Sequence, residues 1–142
     1  MHNFDQKKLG KGLGELHLKS AESKPKMFGF PVEGFIGTTD QKKGSEDNWI
    51  DCFLNLRIIP QLSMLKSNFL DKETINKVKE KIKSELLNHK PINALVHGDL
   101  WSGNAGMDKS GRGVISDPAS WWADNEVAVS YTHLTLPTNT PV

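Results

Sequence analysis

Leu9, Leu13 and Leu16, followed by Leu18, recur at intervals that place apolar side chains on one face of a helix. This predicts a short first helix, weakened by Gly10, Gly12 and Gly14, which lose backbone entropy on becoming helical. From Ala21 to Glu46 no period survives. Gly, Pro, Ser, Thr and Lys surround the apolar islands FGF and FIG, so an ordered but irregular loop is expected. The helical stripe returns with Trp49, Cys52, Phe53 and Leu56, behind Ser45, Glu46 and Asp47 as capping residues, and continues through Leu62 and Leu65. Pro60 should kink or split it, because proline lacks the N–H and disfavours a helical Ile59. Asp71 caps a clearer helix, with Ile75, Val78, Ile82 and Leu86 on one face. Lys77, Lys79, Lys81 and Lys83 lie largely elsewhere and read as a solvated face. After Pro91 the period shortens to the strand-like pieces ALVH, AGM and GVIS, with SGN and DKSGRG as the turns between them.

The 142 residues, 37% hydrophobic and 25% charged, suit one ordinary globular domain or a piece of one. A net charge of +1, with lysines spread among acids, supplies no field that would favour nucleic acid or an anionic membrane. Small or neutral partners are the default. No stretch approaches the roughly 20 apolar residues of a spanning helix, and MHNFDQKK lacks the apolar core of a signal peptide. The lone cysteine, Cys52, cannot form an internal disulfide, which points to a reducing compartment, the cytoplasm.

The chemistry is concentrated in LVHGDLWSGN, residues 95–104. Asp99 and Asn104 flank a tight loop after one strand, and a two-strand turn separates them from Asp117, at the end of the next. Three such groups suit phosphoryl transfer, in which a protein orients a hydroxyl and holds Mg²⁺ against phosphates. Mg²⁺ takes few protein ligands, all oxygen, so a carboxylate and an amide carbonyl suffice. Asp99 is then the base, Asn104 and Asp117 bind metal, and Gly98 and Gly103 let the loop turn. Singly, each residue is more often a turn-former; the order strand, loop, hairpin, Asp-Pro is what favours chemistry. His97 reads as structural, an imidazole tying the loop to nearby backbone, since no second His or Cys lies at ligand spacing. Trp101, Trp121 and Trp122 suit either a core or an apolar wall for a sugar ring or amine.

HGDLWSGN followed by VISDPASWW resembles the fructosamine kinase (ketosamine 3-kinase) family, a branch of the aminoglycoside-phosphotransferase and choline-kinase relatives of protein kinases. LGKGLGELH, FGFPVEGFIGTTDQ and NWIDCFLNLRIIPQL resemble further segments of that family in the same order, so the likeness runs from Leu9 to Val127. It implies an α+β fold: part of a protein-kinase-like C-terminal lobe, mostly helical, with short antiparallel strands around the catalytic loop. It also implies transfer of the ATP γ-phosphoryl group to the 3-hydroxyl of a ketosamine, with Asp99 as proton acceptor and Asn104 and Asp117 as Mg²⁺ ligands. By resemblance alone, the FGF and FIG segments and the loop bearing Trp101 favour a ketosamine over an aminoglycoside or choline-type substrate. A truncated reading frame without catalysis is the contrasting alternative.

Nothing before Asp99 offers a Gly-rich nucleotide loop or a strand lysine with a helical Glu partner; GKGLGE precedes a helical stripe instead. An ATP-gripping N-terminal lobe is therefore expected to be absent, and the chain alone is expected to be inactive. Residues 1–127 are expected to be a fragment of a kinase-like C-terminal lobe. Residues 128–142 are expected to be a non-native tail, because VSYTHLTLPT resembles a translated transposase-type sequencing adapter. The family's usual Asp after Glu-Val is Ala128 here, the residue that a G joined to CT would encode, so native sequence is expected to stop at Val127.

Overall fold

Asp5 opens the first helix by accepting a hydrogen bond from the Lys8 amide at 3.1 Å, one of the four donors that a helix start leaves unpaired. The computed structural model describes residues 5–65 and 71–128. In chain order the elements are α1 (Gln6–Glu22), β1 (Phe28–Phe30), β2 (Gly34–Ile36), β3 (Thr39–Gln41) and β4 (Gly44–Glu46). Next come α2 (Trp49–Phe53), a π-helical turn (Leu54–Ile58), α3 (Ile59–Met64) and α4 (Lys72–Leu86). The remainder is β5 (Asn93–Val96), a 3₁₀ turn (Ser102–Asn104), β6 (Ala105–Met107), β7 (Gly113–Ile115), β8 (Trp121–Asp124) and a 3₁₀ turn (Asn125–Val127). This is α+β, as expected. The proposed tail falls largely on residues 129–142, outside the described ones.

The chain divides into two units: Met1–Pro25 with Ile92–Val142, and Lys26–Pro91. In the first unit, β5 and β8 pair antiparallel, Asn93 opposite Asp124 and Val96 opposite Trp121. Ala94, Val96, Trp121 and Ala123 are buried there. Ser20 on α1 accepts the Leu95 amide at 2.9 Å and so satisfies an N–H on the far side of β5 from β8. The leucine stripe of α1 behaves as its period predicts: Leu9 and Leu13 form a core with Leu100, and Leu16 and Ala105 pack against it. Leu18, the off-period member, is exposed. β6 and β7 form a hairpin whose turn is held by Asp108. Its carboxylate accepts the Ser110 amide at 2.9 Å, the Ser110 hydroxyl at 2.6 Å, the Arg112 amide at 2.9 Å and Arg112 Nε at 2.8 Å.

In the second unit the stretch expected to be an irregular loop contains four short strands. FGF is β1, paired antiparallel with β4; FIG contributes to β2, paired with β3. The N-cap of α2 is Asn48, one residue beyond the three acidic or hydroxyl residues expected to cap it. Its Oδ1 accepts the Asp51 amide at 2.9 Å while its Nδ2 donates to the Asp51 carboxylate. Trp49 packs between Phe28 and Phe53, with ring centroids 5.8 and 5.3 Å away, and Cys52, Leu54 and Leu56 complete the core. Burial pushes the Cys52 thiol up to about 12. Pro60 splits the stripe as its chemistry requires. The π turn precedes it, with the Ile59 amide reaching back to the Leu54 carbonyl. Leu65, beyond the break, is exposed and does not continue the buried face. Asp71 caps α4 through the Thr74 amide at 2.7 Å, and three lysines of α4 pair with glutamates along its surface: Lys77 with Glu73, Lys83 with Glu80, Lys81 with Glu85. Among the described residues, no helix is long and apolar enough to cross a membrane.

Candidate active site

Eight residues, 97–104, join β5 to β6, and each end of this loop is anchored before its polar groups are presented. Leu100 is buried in the α1 leucine cluster, which holds the middle of the loop by its one apolar side chain pointing inward. The segment closes with the Asn104 amide donating to the Trp101 carbonyl at 2.9 Å in a 3₁₀ turn.

Asn104 is buried, and its amide group is spent on Asp99: Nδ2 donates to the Asp99 main-chain carbonyl at 2.9 Å and reaches the carboxylate Oδ2 at 3.5 Å. Commitment of the nitrogen leaves Oδ1 as the group suited to a cation. Asp99 itself is half-buried. The structure therefore brings two of the three expected site residues into direct contact.

Asp117 is connected to them through backbone. The Ser116 amide donates to the Asn104 carbonyl at 3.0 Å, extending the β6–β7 ladder to the edge of the loop. Asp117 follows with φ +49°, a left-handed conformation that costs a side-chain-bearing residue on the order of 1–2 kcal/mol. Among the described residues no hydrogen bond or ion pair joins its exposed carboxylate to Asp99 or Asn104. Among the described residues no cationic side chain is bonded to Asp99, Asn104 or Asp117.

His97 has the structural part that its isolation in sequence suggested. It is 2% exposed, with Nε2 2.9 Å from the Ser116 carbonyl and Nδ1 accepting the Asp99 amide at 3.3 Å. Gly98 is required between them. At φ +82° its Cα approaches the Ala119 carbonyl so closely that a Cβ would lie 2.1 Å from that oxygen. Trp101 is 48% exposed and its ring lies over Gly103, where a Cβ would be 2.4 Å from the indole. Trp121 belongs to the β8 core and Trp122, on the opposite strand face, is half-buried. The alternatives for the three tryptophans are therefore divided: core for Trp121, open surface beside Asp99 for Trp101. The backbone groups of Ser116 and Ala119 had no sequence signal, since any residue supplies a carbonyl.

Asn104 Oδ1 and the Asp117 carboxylate are hard oxygen donors on adjacent, hydrogen-bonded segments, a set that fits Mg²⁺ and not a soft metal.

The fructosamine kinase family model matches residues 1–140. A Synechocystis protein assigned as a ketoamine kinase is 36% identical over 130 residues, which cover 89% of this chain and 42% of the relative. The chloroplastic protein-ribulosamine 3-kinase of Oryza sativa subsp. japonica is 36% identical over 129 residues, 86% of this chain and 36% of the relative. A crystal structure from Haemophilus somnus, assigned as a fructosamine-3-kinase, superposes with a TM-score of 0.75 at 24% identity, covering 95% of this chain and 46% of that one. The chain thus spans less than half the length of these relatives. Matched by that family model along nearly its whole length, the chain belongs to the fructosamine kinase family.

Proposed function

We propose that this chain carries the catalytic loop of an ATP-dependent ketosamine 3-kinase, acting on a fructosamine or ribulosamine in a protein of full family length. One observation carries the reading furthest: Asn104 uses its nitrogen to hold the Asp99 main chain, so a proton-accepting carboxylate and a cation-binding amide oxygen are fixed to each other. In this reading Asp99 takes the proton of the 3-hydroxyl as its oxygen bonds to the γ-phosphorus, while the bond from that phosphorus to the bridging oxygen breaks and ADP leaves. Asn104 Oδ1 and Asp117 would hold Mg²⁺, which when bound neutralises phosphate charge. The exposed face of Trp101 offers the sugar ring an apolar wall one residue from Leu100, the loop's anchor.

The fully buried, unpaired Cys52 supports a reducing, cytoplasmic setting. No lysine or arginine among the described residues is bonded to Asp99, Asn104 or Asp117, so this chain alone is expected to bind Mg·ATP no better than on the order of millimolar. The test is ADP release with a fructosamine and Mg·ATP from a full-length protein carrying this chain, beside its Asp99→Asn variant. Turnover that the variant lacks supports the reading; equal rates would overturn it.

A further inference from the structure

We infer that His97 is a positioning residue that couples the Asp99 loop to the Asp117 segment through two separable hydrogen bonds, one with the Asp99 amide and one with the carbonyl of Ser116, the residue before Asp117. The inference rests on the ketosamine kinase reading and adds a residue to it. The partners assign the imidazole proton: Nδ1 accepts the Asp99 N–H at 3.3 Å, so Nε2 carries the hydrogen and donates it to the Ser116 carbonyl at 2.9 Å. Ser116 is pinned at its other end as well, its amide donating to the Asn104 carbonyl at 3.0 Å. The residue after it, Asp117, holds a left-handed backbone at φ +49°, which needs its neighbours fixed to persist. Gly98, pressed against the Ala119 carbonyl, prevents the two segments from being spaced by any side chain at position 98. His97 is the only side chain bonded to both segments among the described residues, and it is buried where water cannot replace it.

The two bonds can be removed separately. An asparagine places Oδ1 where Nδ1 stands, so His97→Asn keeps the acceptor for Asp99 and loses Ser116. A glutamine amide nitrogen reaches the position of Nε2, so His97→Gln keeps the donor for Ser116 and loses Asp99. On this chain, ¹⁵N NMR of labelled histidine should show the Nε2–H tautomer at His97, and exchange of the Asp99 amide should stay slow in His97→Asn and quicken in His97→Gln. A proton on Nδ1, or Asp99 exchange alike in both variants, would overturn the link. In a full-length protein carrying this chain, His97→Gln should lower kcat about tenfold or more with an unchanged Mg²⁺ requirement. His97→Asn should instead raise the Mg²⁺ concentration for half-maximal rate by about tenfold. Parallel losses in kcat and Mg²⁺ requirement for both variants would reduce His97 to a residue that only holds the fold. A wild-type protein without turnover would overturn the kinase reading, and the two NMR measurements would still decide the link.

Discussion

Arg57 donates from Nη1 to the carbonyl of Leu56 at 2.8 Å, the acceptor that a regular helical turn would pair with the N–H that Pro60 lacks. The same guanidinium nitrogen reaches the Lys42 carbonyl at 3.3 Å, so one side chain repairs the helix and ties it to the strand segment before it. Replacing Arg57 with methionine should cost about 1–2 kcal/mol, because a partly buried carbonyl loses a charged donor. In a Pro60→Ala background the cost should shrink, since a backbone N–H becomes available there. Urea unfolding of the four corners of this double-mutant cycle would measure the coupling, and additivity within experimental error would refute the repair.

Asp99 and Asp117 should fail in different ways in a full-length protein. Asp99→Asn is expected to keep Mg·ATP binding and lower turnover by roughly a hundredfold or more, because proton acceptance alone is lost. Asp117→Asn should weaken metal-dependent nucleotide binding first. Nucleotide titrations with and without Mg²⁺, set beside kcat, separate the two, and near-normal values in both variants would remove these residues from the site.

The hairpin turn at Asp108 should resist acid. Hydrogen bonds from the Ser110 hydroxyl, then from Arg112, hold its carboxyl well below the ordinary value of 3.8. A folded-state value below the unfolded one means that the stabilisation is complete above pH 3.8 and disappears only as pH falls through the lower, folded value. The Ser110 and Arg112 amides should therefore keep their NMR positions at pH 4, and Asp108→Asn should shift them at neutral pH.

His17 works in the opposite part of the pH scale. It is half-buried on α1, burial lowers its pKa from 6.5, and its Nε2 has no hydrogen-bond partner among the described residues. A depressed value makes its contribution full above pH 6.5, and the contribution falls away as acid protonates the unfolded chain more readily than the folded one. The urea midpoint should decline from pH 7 to pH 5, and His17→Leu should flatten that decline. A variant with the wild-type slope would mean that another group is responsible.

Cys52 should be silent towards thiol reagents until the chain unfolds. It is fully buried and its thiol is pushed up to about 12, so almost no thiolate exists at neutral pH and none is reachable. An aromatic disulfide reagent should label it only in denaturant; labelling at the rate of a free thiol in buffer would contradict its place in the core.

Long apolar periods were legible in the residues themselves. α1, α4 with its Asp71 cap and the break at Pro60 all follow from spacing and from what proline cannot donate. The hairpin between Asp99 and Asp117 was legible for the same reason, with turn residues bounding two short apolar runs. β1 to β4 were not: each has three residues, too few for an alternation to show, and Gly29 and Gly44 take positive φ values that read as loop. β8 was hidden in SWWAD, where aromatic residues on successive positions face both sides of a strand. At the site, side chains were visible and backbone partners were not. Asp99, Asn104 and the tying role of His97 could be inferred from residue type, whereas Ser116 and Ala119 contribute carbonyls that every residue has.

The hairpin between the two halves of the site also shortens the route by which they meet during folding. His97 and Ser116 lie 19 residues apart along the chain. Once β6 and β7 have paired and the Ser116 amide has found the Asn104 carbonyl, the chain still to be closed between them shrinks to about eight residues, a saving of ~0.8 kcal/mol in closure entropy. With the hairpin formed, the bond from His97 to Ser116 is thus closed over a short loop, one that a chain can close quickly.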